Sequence, residues 1–179
     1  MKFRPVRFNS YLLVLVAACL AACETTQPGG APKGAKGVAT LRIHLETHSD
    51  PLGLSRQITV GTVGREEAQT FLVTAPMISE ETLVAARLWE GNADQFAIHL
   101  QFDREGQRIL EMLSMSYRGK RLAIMSQFPE ARWIGTVRMD RRIADGTLLF
   151  RPEATREEAE QIVHLLNGTV AKLKKYKEW

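Results

Sequence analysis

The clearest pattern of apolar and polar positions in the chain is an alternation over residues 96–102. Every second residue there is large and apolar, at Phe96, Ile98, Leu100 and Phe102. A period of two predicts a β-strand with one buried face. The same alternation over residues 41–46 predicts another strand. Shorter apolar runs predict further strands at residues 58–60, 71–74, 122–125, 133–139 and 147–150.

Three segments between these strands carry the signals of helices. Ser79, followed by two glutamates, predicts the N-cap of a short helix that ends at Gly91. Its inward residues would be Leu83, Val84 and Leu88. Asp103 predicts the cap of a second helix that ends at Gly119. The inner face of this helix would carry Ile109, Met112, Leu113 and Ser116.

The third helix follows a capping box over residues 155–158, Thr-Arg-Glu-Glu. Its apolar stripe is Ala159, Ile162, Val163 and Leu166, and Gly168 could close it in a left-handed conformation. Asp145-Gly146 predicts a β-hairpin just before the last strand. From residue 96 onward the element order is therefore β-α-β-β-β-α. That order predicts an α+β fold in which an antiparallel sheet carries helices on one face.

The first 22 residues are built differently from the rest. Lys2, Arg4 and Arg7 precede an apolar run at residues 11–18, which is typical of a secretory signal peptide. Residues 20–23, Leu-Ala-Ala-Cys, resemble the lipobox of bacterial lipoproteins. The resemblance implies that residues 1–22 are removed and that Cys23 is acylated, with chains such as palmitate.

Two alternatives concern this same segment. An uncleaved membrane anchor would need about 20 apolar residues, whereas the uncharged stretch 8–23 has 16. Val16-Ala17-Ala18-Cys19 also fits a lipobox, but it leaves an apolar core of about six residues, so we favour Cys23. Glu24 follows the cysteine, in place of the aspartate that commonly retains lipoproteins at the inner membrane. By that analogy we expect the outer membrane, facing the periplasm.

Composition narrows the function classes. The full chain has 24 basic and 20 acidic residues, but three of the basic ones leave with the signal peptide, so the mature charge is 21 minus 20, or +1. Such a balance does not indicate nucleic-acid binding, which needs a sustained basic patch. Cys19 and Cys23 are the two cysteines of the chain. A disulfide or a thiolate metal site within the mature domain is therefore not expected.

These observations divide the chain into four parts. Residues 1–22 are the signal peptide, and residues 23–37 are a lipidated tether rich in glycine and proline. Its fourteen residues after Cys23 could span about 45 Å. Residues 38–168 form one α+β domain, and residues 169–179 a basic, helical C-terminal tail.

Several ordered segments resemble the periplasmic head domain of SecD, a membrane subunit of the protein-export translocase. The segments are 76–81, 96–106 with its Phe-Asp-x-x-Gly motif, 117–124 with its Leu-Ala-Ile strand, 146–150, 155–160 and 165–168. The likeness is strongest over residues 69–168. It implies a ferredoxin-like head that contacts other polypeptides. Residues 126–130 depart from the family's Asp-Gly turn, and SecD's transmembrane helices have no counterpart after Cys23. No motor activity is therefore implied.

Catalytic and metal sites are weakly indicated. His44 and His48 have a metal-like spacing that Glu46 and Asp50 could complete, but strand alternation puts His44 on a polar face. We interpret both as solvated histidines. His99 and His164 have no partner that spacing identifies. The chain shows neither a nucleophile elbow nor a phosphate loop, so we predict no catalytic residue, metal or cofactor.

Binding is better indicated than catalysis. Arg118, Lys120 and Arg121 form one basic cluster, and a second lies close to Trp133 and Trp89. Its members are Arg132, Arg138, Arg141 and Arg142. We predict a binding patch for acidic partners or anionic headgroups; a solvated mixed-charge face is the alternative. The patch comprises Arg118, Lys120, Arg121, Trp133 and Arg138.

A free sheet face or edge strand could also add an extended peptide. The lysines of the tail, Lys172, Lys174, Lys175 and Lys177, could bind peptidoglycan, anionic lipid or nothing. The sequence thus predicts a lipid-anchored, non-enzymatic interaction module that assists protein export or envelope assembly. Its partners would be unfolded or envelope polypeptides or translocase components. A small envelope hydrolase or a ligand-binding lipoprotein is the alternative.

Overall fold

The computed structural model describes residues 38–48, 55–60, 69–91, 95–128 and 130–177. The predicted signal peptide, Cys23 and the tether lie outside these residues. The strands are β1 (Thr40–Thr47), β2 (Arg56–Val60), β3 (Gln69–Ser79), β4 (Leu83–Glu90), β5 (Phe96–Phe102), β6 (Arg121–Gln127), β7 (Ala131–Arg138) and β8 (Thr147–Phe150). The helices are α1 (Arg104–Ser116) and α2 (Arg156–Lys177), and a 3-10 turn covers Glu80–Thr82.

The strands form two antiparallel sheets, which confirms the predicted α+β class. One sheet has five strands in the order β2-β3-β1-β6-β7, and the other has the order β4-β5-β8. The two edge strands of the larger sheet, β2 and β7, also contact each other. The larger sheet is therefore curled, and its concave face is covered by its own strands.

The hairpin predicted at Asp145-Gly146 is wrong. Gly146 does make a turn, with φ +69°, but β8 pairs with β5 and not with β7. The Gly146 carbonyl accepts a hydrogen bond from the N–H of Phe102 at 2.9 Å, which continues that pairing. The turn thus carries the chain from one sheet to the other. Pairing with β5 puts Leu148 opposite Leu100, where both side chains are buried.

The main core lies between the two sheets and the two helices. Its fully buried large side chains include Leu41, Ile43, Ile98, Leu100, Leu110, Leu113, Leu122, Ile124 and Ile162. The buried face of α1 is rotated from the predicted one. Leu110 and Ser114 are buried, whereas Met112 and Ser116, which were predicted to face inward, are exposed. The cap is as predicted: the Asp103 carboxylate accepts hydrogen bonds from the N–H groups of Glu105 and Gly106.

The helix predicted between Ser79 and Gly91 is wrong. The Ser79 hydroxyl does accept a hydrogen bond from the N–H of Glu81, but the helical turn ends at Thr82. The chain then becomes β4, which pairs with β5 from Leu83 to Glu90. The backbone hydrogen bonds that the open edge of β5 offers outweigh the local cap signal.

The helix does not close at Gly168, because α2 continues to Lys177 through the tail that the sequence predicts to be helical. Thr169 and Val170, just after Gly168, are buried. The Thr169 hydroxyl donates to the carbonyl of Ala39 at 2.9 Å. Residues 169–177 therefore belong to the domain and hold the start of β1. Within the described ranges, neither helix is long and apolar enough to cross a bilayer.

Candidate interaction surface

A cleft separates β7 from β8, the facing edge strands of the two sheets. At its base the strands meet: the Glu153 N–H donates to the Ile134 carbonyl at 2.8 Å, and Gly135 lies against the ring of Phe150. Beyond this contact a space of about 410 Å³ opens between the end of β7, the connection 139–146 and β8. The cleft exists because β8 leaves its sequence neighbour to pair with β5.

Both walls of the cleft include unpaired strand edges. The Met139 N–H donates to the Lys120 carbonyl at 2.9 Å, so by the alternation of an antiparallel ladder the backbone groups of Arg138 point away from β6. The bond from Phe102 to Gly146 likewise directs the backbone groups of Leu149 away from β5. Arg138 and Leu149 both line the cleft. No ladder joins β7 and β8 among the described residues. An added extended strand pairs with an exposed sheet edge, and the cleft offers one on each side.

The charge around the cleft is mixed with a positive excess. Three arginines line it together with Asp140 and Asp145. Arg138 pairs with Asp140 at 2.9 Å, and Arg142 pairs with Glu111 on α1. Arg141 is exposed. Burial raises the pKa of the Asp145 carboxyl, but hydrogen bonds from Thr147 and the positive charge of Arg141 bring that pKa below its usual value.

The structure brings four of the five predicted binding residues together. Arg121 and Arg138 face each other across β6 and β7, and the Arg118 guanidinium donates to the Asp140 carbonyl at 3.0 Å. Lys120 precedes this pair and is half-buried. Arg121 is less available to a partner, because its guanidinium and its backbone N–H both donate hydrogen bonds to the Glu46 carboxylate. This basic cluster adjoins the cleft through Arg138.

Trp133 is separated from that cluster. It lies near the other end of β7, five residues from Arg138 and roughly 16 Å along the strand. There it packs on a minor core inside the curl of the larger sheet. The buried members of this core are Ile58, Val73 and Ala123. Trp133 is therefore a structural residue of the curl.

His44 also belongs to this minor core, so the prediction of a solvated histidine is wrong for it. Its side chain is 8% exposed, and its ring meets the Trp133 ring edge-on at a centroid distance of 4.9 Å. The curl of the sheet covers the face that strand alternation alone would leave in water. His48 is exposed, as predicted.

The hydrogen bonding of His44 is incomplete. Its Nδ1–H donates to the Thr74 carbonyl at 2.8 Å, while Nε2 is buried without a partner among the described residues. Burial lowers the pKa of His44, the hydrogen bond to Thr74 opposes this, and the charges of Arg42 and Arg56 lower it further. Glu46 is buried nearby, but the described residues contain no group of three or more side chains suited to a metal ion.

A second exposed surface borders the cleft on the smaller sheet. Trp89 is 52% exposed and Leu149 is 48% exposed, on the sheet face opposite the main core. His99 lies between their strands and is directly opposite Leu149. Leu149 therefore belongs both to this open face and to the cleft. Sequence reasoning missed it, although its position between two inward residues of β8 would have placed it on the outer face.

Comparisons with known proteins agree with this fold. No family model and no curated protein matches the chain. Solved structures of SecDF do match. One, described as a membrane component SecDF that enhances protein export, has a TM-score of 0.54 at 20% identity and is matched over 73% of this chain and 62% of its own.

SecDF in its super-membrane-facing form has a TM-score of 0.53 at 20% identity, over 72% of this chain. The present chain spans only 18% of that second protein. At such identities the comparisons show the fold alone. The described domain has a SecD-like fold, which confirms the fold that the resemblance of its segments implied.

Proposed function

We propose that this protein is a lipid-anchored component of the cell envelope whose SecD-like head binds extended polypeptide segments. Its role is that of an accessory to protein export or envelope assembly, without chemistry of its own. Cys23 supplies the anchor, and the periplasmic face of the outer membrane is the expected location. This role is proposed because one of its structural neighbours, SecDF, is a membrane component that enhances protein export.

The cleft between β7 and β8 is the observation that carries this proposal. An extended segment entering it would find the outward backbone groups of Arg138 on one side and those of Leu149 on the other. Main-chain hydrogen bonds supply affinity with little regard to sequence, which suits a protein that handles many polypeptides. The exposed side chain of Leu149 adds apolar contact in the cleft, and Trp89 lies on the same open sheet face two strands away. The arginine excess favours segments that carry acidic residues.

A pair of substitutions at Leu149 tests strand addition directly. Leu149→Pro removes the N–H that points into the cleft and leaves the ladder to β5 intact, since that N–H is not part of it. Leu149→Ala trims the side chain and keeps the N–H. We expect Leu149→Pro to weaken binding of a reduced, carboxymethylated unfolded protein by about tenfold, and Leu149→Ala to weaken it by no more than about threefold.

Binding would be measured by fluorescence anisotropy of the labelled unfolded protein, with circular dichroism confirming that both variants are folded. Wild-type affinity in Leu149→Pro would contradict the proposal. Equal losses in the two variants would show that the side chain, and not the strand edge, is what binds.

A further inference from the structure

The two ends of the described domain meet at the C-terminal half of α2. The chain enters at Val38, which is 55% exposed, and the next residue, Ala39, is fully buried. The Ala39 carbonyl accepts the hydrogen bond of the Thr169 hydroxyl. The segment that leads back to Cys23 therefore starts beside this part of the helix.

The same helix face continues into cationic and aromatic residues. Lys172 and Tyr176 follow Thr169 at spacings of three and four, so the three lie on one stripe. Lys175 adjoins Lys172 at the same spacing of three. Lys172 and Lys175 are exposed, and Tyr176 is 81% exposed.

Lys174 differs from these residues. It lines a small space together with Glu80, Glu81 and Asp103, so acidic side chains lie near it. The acidic residues of α2 itself lie at its other end, at Glu157, Glu158 and Glu160. The stripe from Lys172 to Tyr176 therefore combines positive charge with an amphipathic ring and has no acidic residue within it.

We propose that Lys172, Lys175 and Tyr176 form a docking surface for a negatively charged bilayer. The inference rests on the proposed anchor at Cys23. Fourteen residues separate Cys23 from Val38, a reach of at most about 45 Å, so an anchored head would stay close to the headgroups. Each lysine at an anionic surface favours the docked state by about fivefold, and a tyrosine ring suits the interface between headgroups and acyl chains. Docking would fix which side of the head faces the membrane.

Lysine reactivity in vesicles tests the docking surface on the unaltered protein. The full-length lipoprotein, extracted from bacterial membranes, would be placed in phosphatidylcholine vesicles with or without phosphatidylglycerol. Acetylation of each lysine would then be followed by mass spectrometry. We expect phosphatidylglycerol to slow acetylation of Lys172 and Lys175 by about fivefold or more, and high salt to reverse the effect. Lys120 is the comparison residue, because it belongs to the basic cluster beside the cleft, the rival surface for anionic headgroups. It precedes β6, whereas Thr40 pairs with Gln127 at the other end of that strand.

The outcomes separate this inference from the anchor. Equal acetylation of Lys172 and Lys175 in both kinds of vesicle would overturn the docking surface and is expected if these lysines serve only the C-terminal dipole of α2. Slowing of Lys120 to the same extent would also overturn it. The mass of the same sample reports whether Cys23 carries acyl chains. An unmodified Cys23 would overturn the anchor and the docking inference with it.

Discussion

His44 is the side chain whose protonation the fold opposes most clearly. It is enclosed by Trp133 and the strands of the curled sheet, and its Nε2 has no acceptor among the described residues. Positive charges on Arg42 and Arg56 add to the cost of a second proton. Glu46, on the same strand face, is engaged by Arg121. The neutral imidazole is therefore the form that the minor core accommodates.

This environment predicts a loss of stability in acid. The unfolded chain binds a proton on His44 near the usual pKa of 6.5, whereas the folded protein binds it only at lower pH. The free energy of unfolding should therefore fall as the pH drops from about 7, through the usual pKa of 6.5, towards the lower pKa of His44 in the folded protein. Urea unfolding at about pH 7.5 and about pH 5 would measure the decrease.

His44→Asn isolates this contribution, because the asparagine amide can still donate to the Thr74 carbonyl but does not titrate. We expect a smaller difference in stability between the two pH values than in the wild type. His164→Asn, at an exposed position on α2, is the control and should behave as the wild type. An identical pH dependence in all three proteins would show that His44 does not titrate on unfolding.

Single residues also show where sequence reasoning stopped. Alternation correctly put His44 opposite the inward residues of β1. Its burial depends on contact between β2 and β7, which are far apart in sequence. No local pattern encodes that contact. The same limit explains Trp133, which was grouped with arginines by sequence proximity but is held in the minor core.

At the level of elements, strong local periodicity was sufficient to predict a strand or a helix, whereas a short signal such as one cap or one glycine was not. The strand 96–102 and the Asp103 cap were predicted at the residues where they occur. The segment 83–90 was not, because a serine cap and two glutamates describe its first turn only. The remainder of the segment is a strand because it pairs with β5. Gly168 misled in the same way, since glycine ends a helix only where packing stops, and here Thr169 and Val170 remain buried.

Two glycine substitutions test these elements in opposite directions. Gly168→Ala should stabilise the protein by about 0.5–1 kcal/mol, because the position is inside α2 and nothing lies within 4 Å of the added Cβ. Gly135→Ala should destabilise it by about 1–3 kcal/mol, because its Cβ would come within 2.8 Å of the Phe150 ring. Urea unfolding at neutral pH would measure both changes. A destabilising Gly168→Ala would mean that the helix does not continue through this residue.

At the scale of the whole molecule, the proposed function depends on the order in which the strands pair. An α+β class with antiparallel strands and two helices was predictable from element order. The division into two sheets was not, because it depends on β8 pairing with β5 across the hairpin signal at Gly146. That choice opens the cleft and leaves Arg138 and Leu149 as edge residues. Four of the five predicted binding residues lie together in the structure, and their role in binding stays a prediction. The strand edges beside them were visible only in the fold.

The most direct measurement of the central claim is site-specific photo-crosslinking in living cells. A photoreactive amino acid would replace Leu149 in the cleft or, as a control, Glu160 on the exposed side of α2. We predict that the probe at position 149 forms adducts with exported polypeptides, that these adducts decrease when export is blocked, and that position 160 forms few. Absence of adducts at position 149, or equal yields at both positions, would contradict a cleft that receives extended polypeptides.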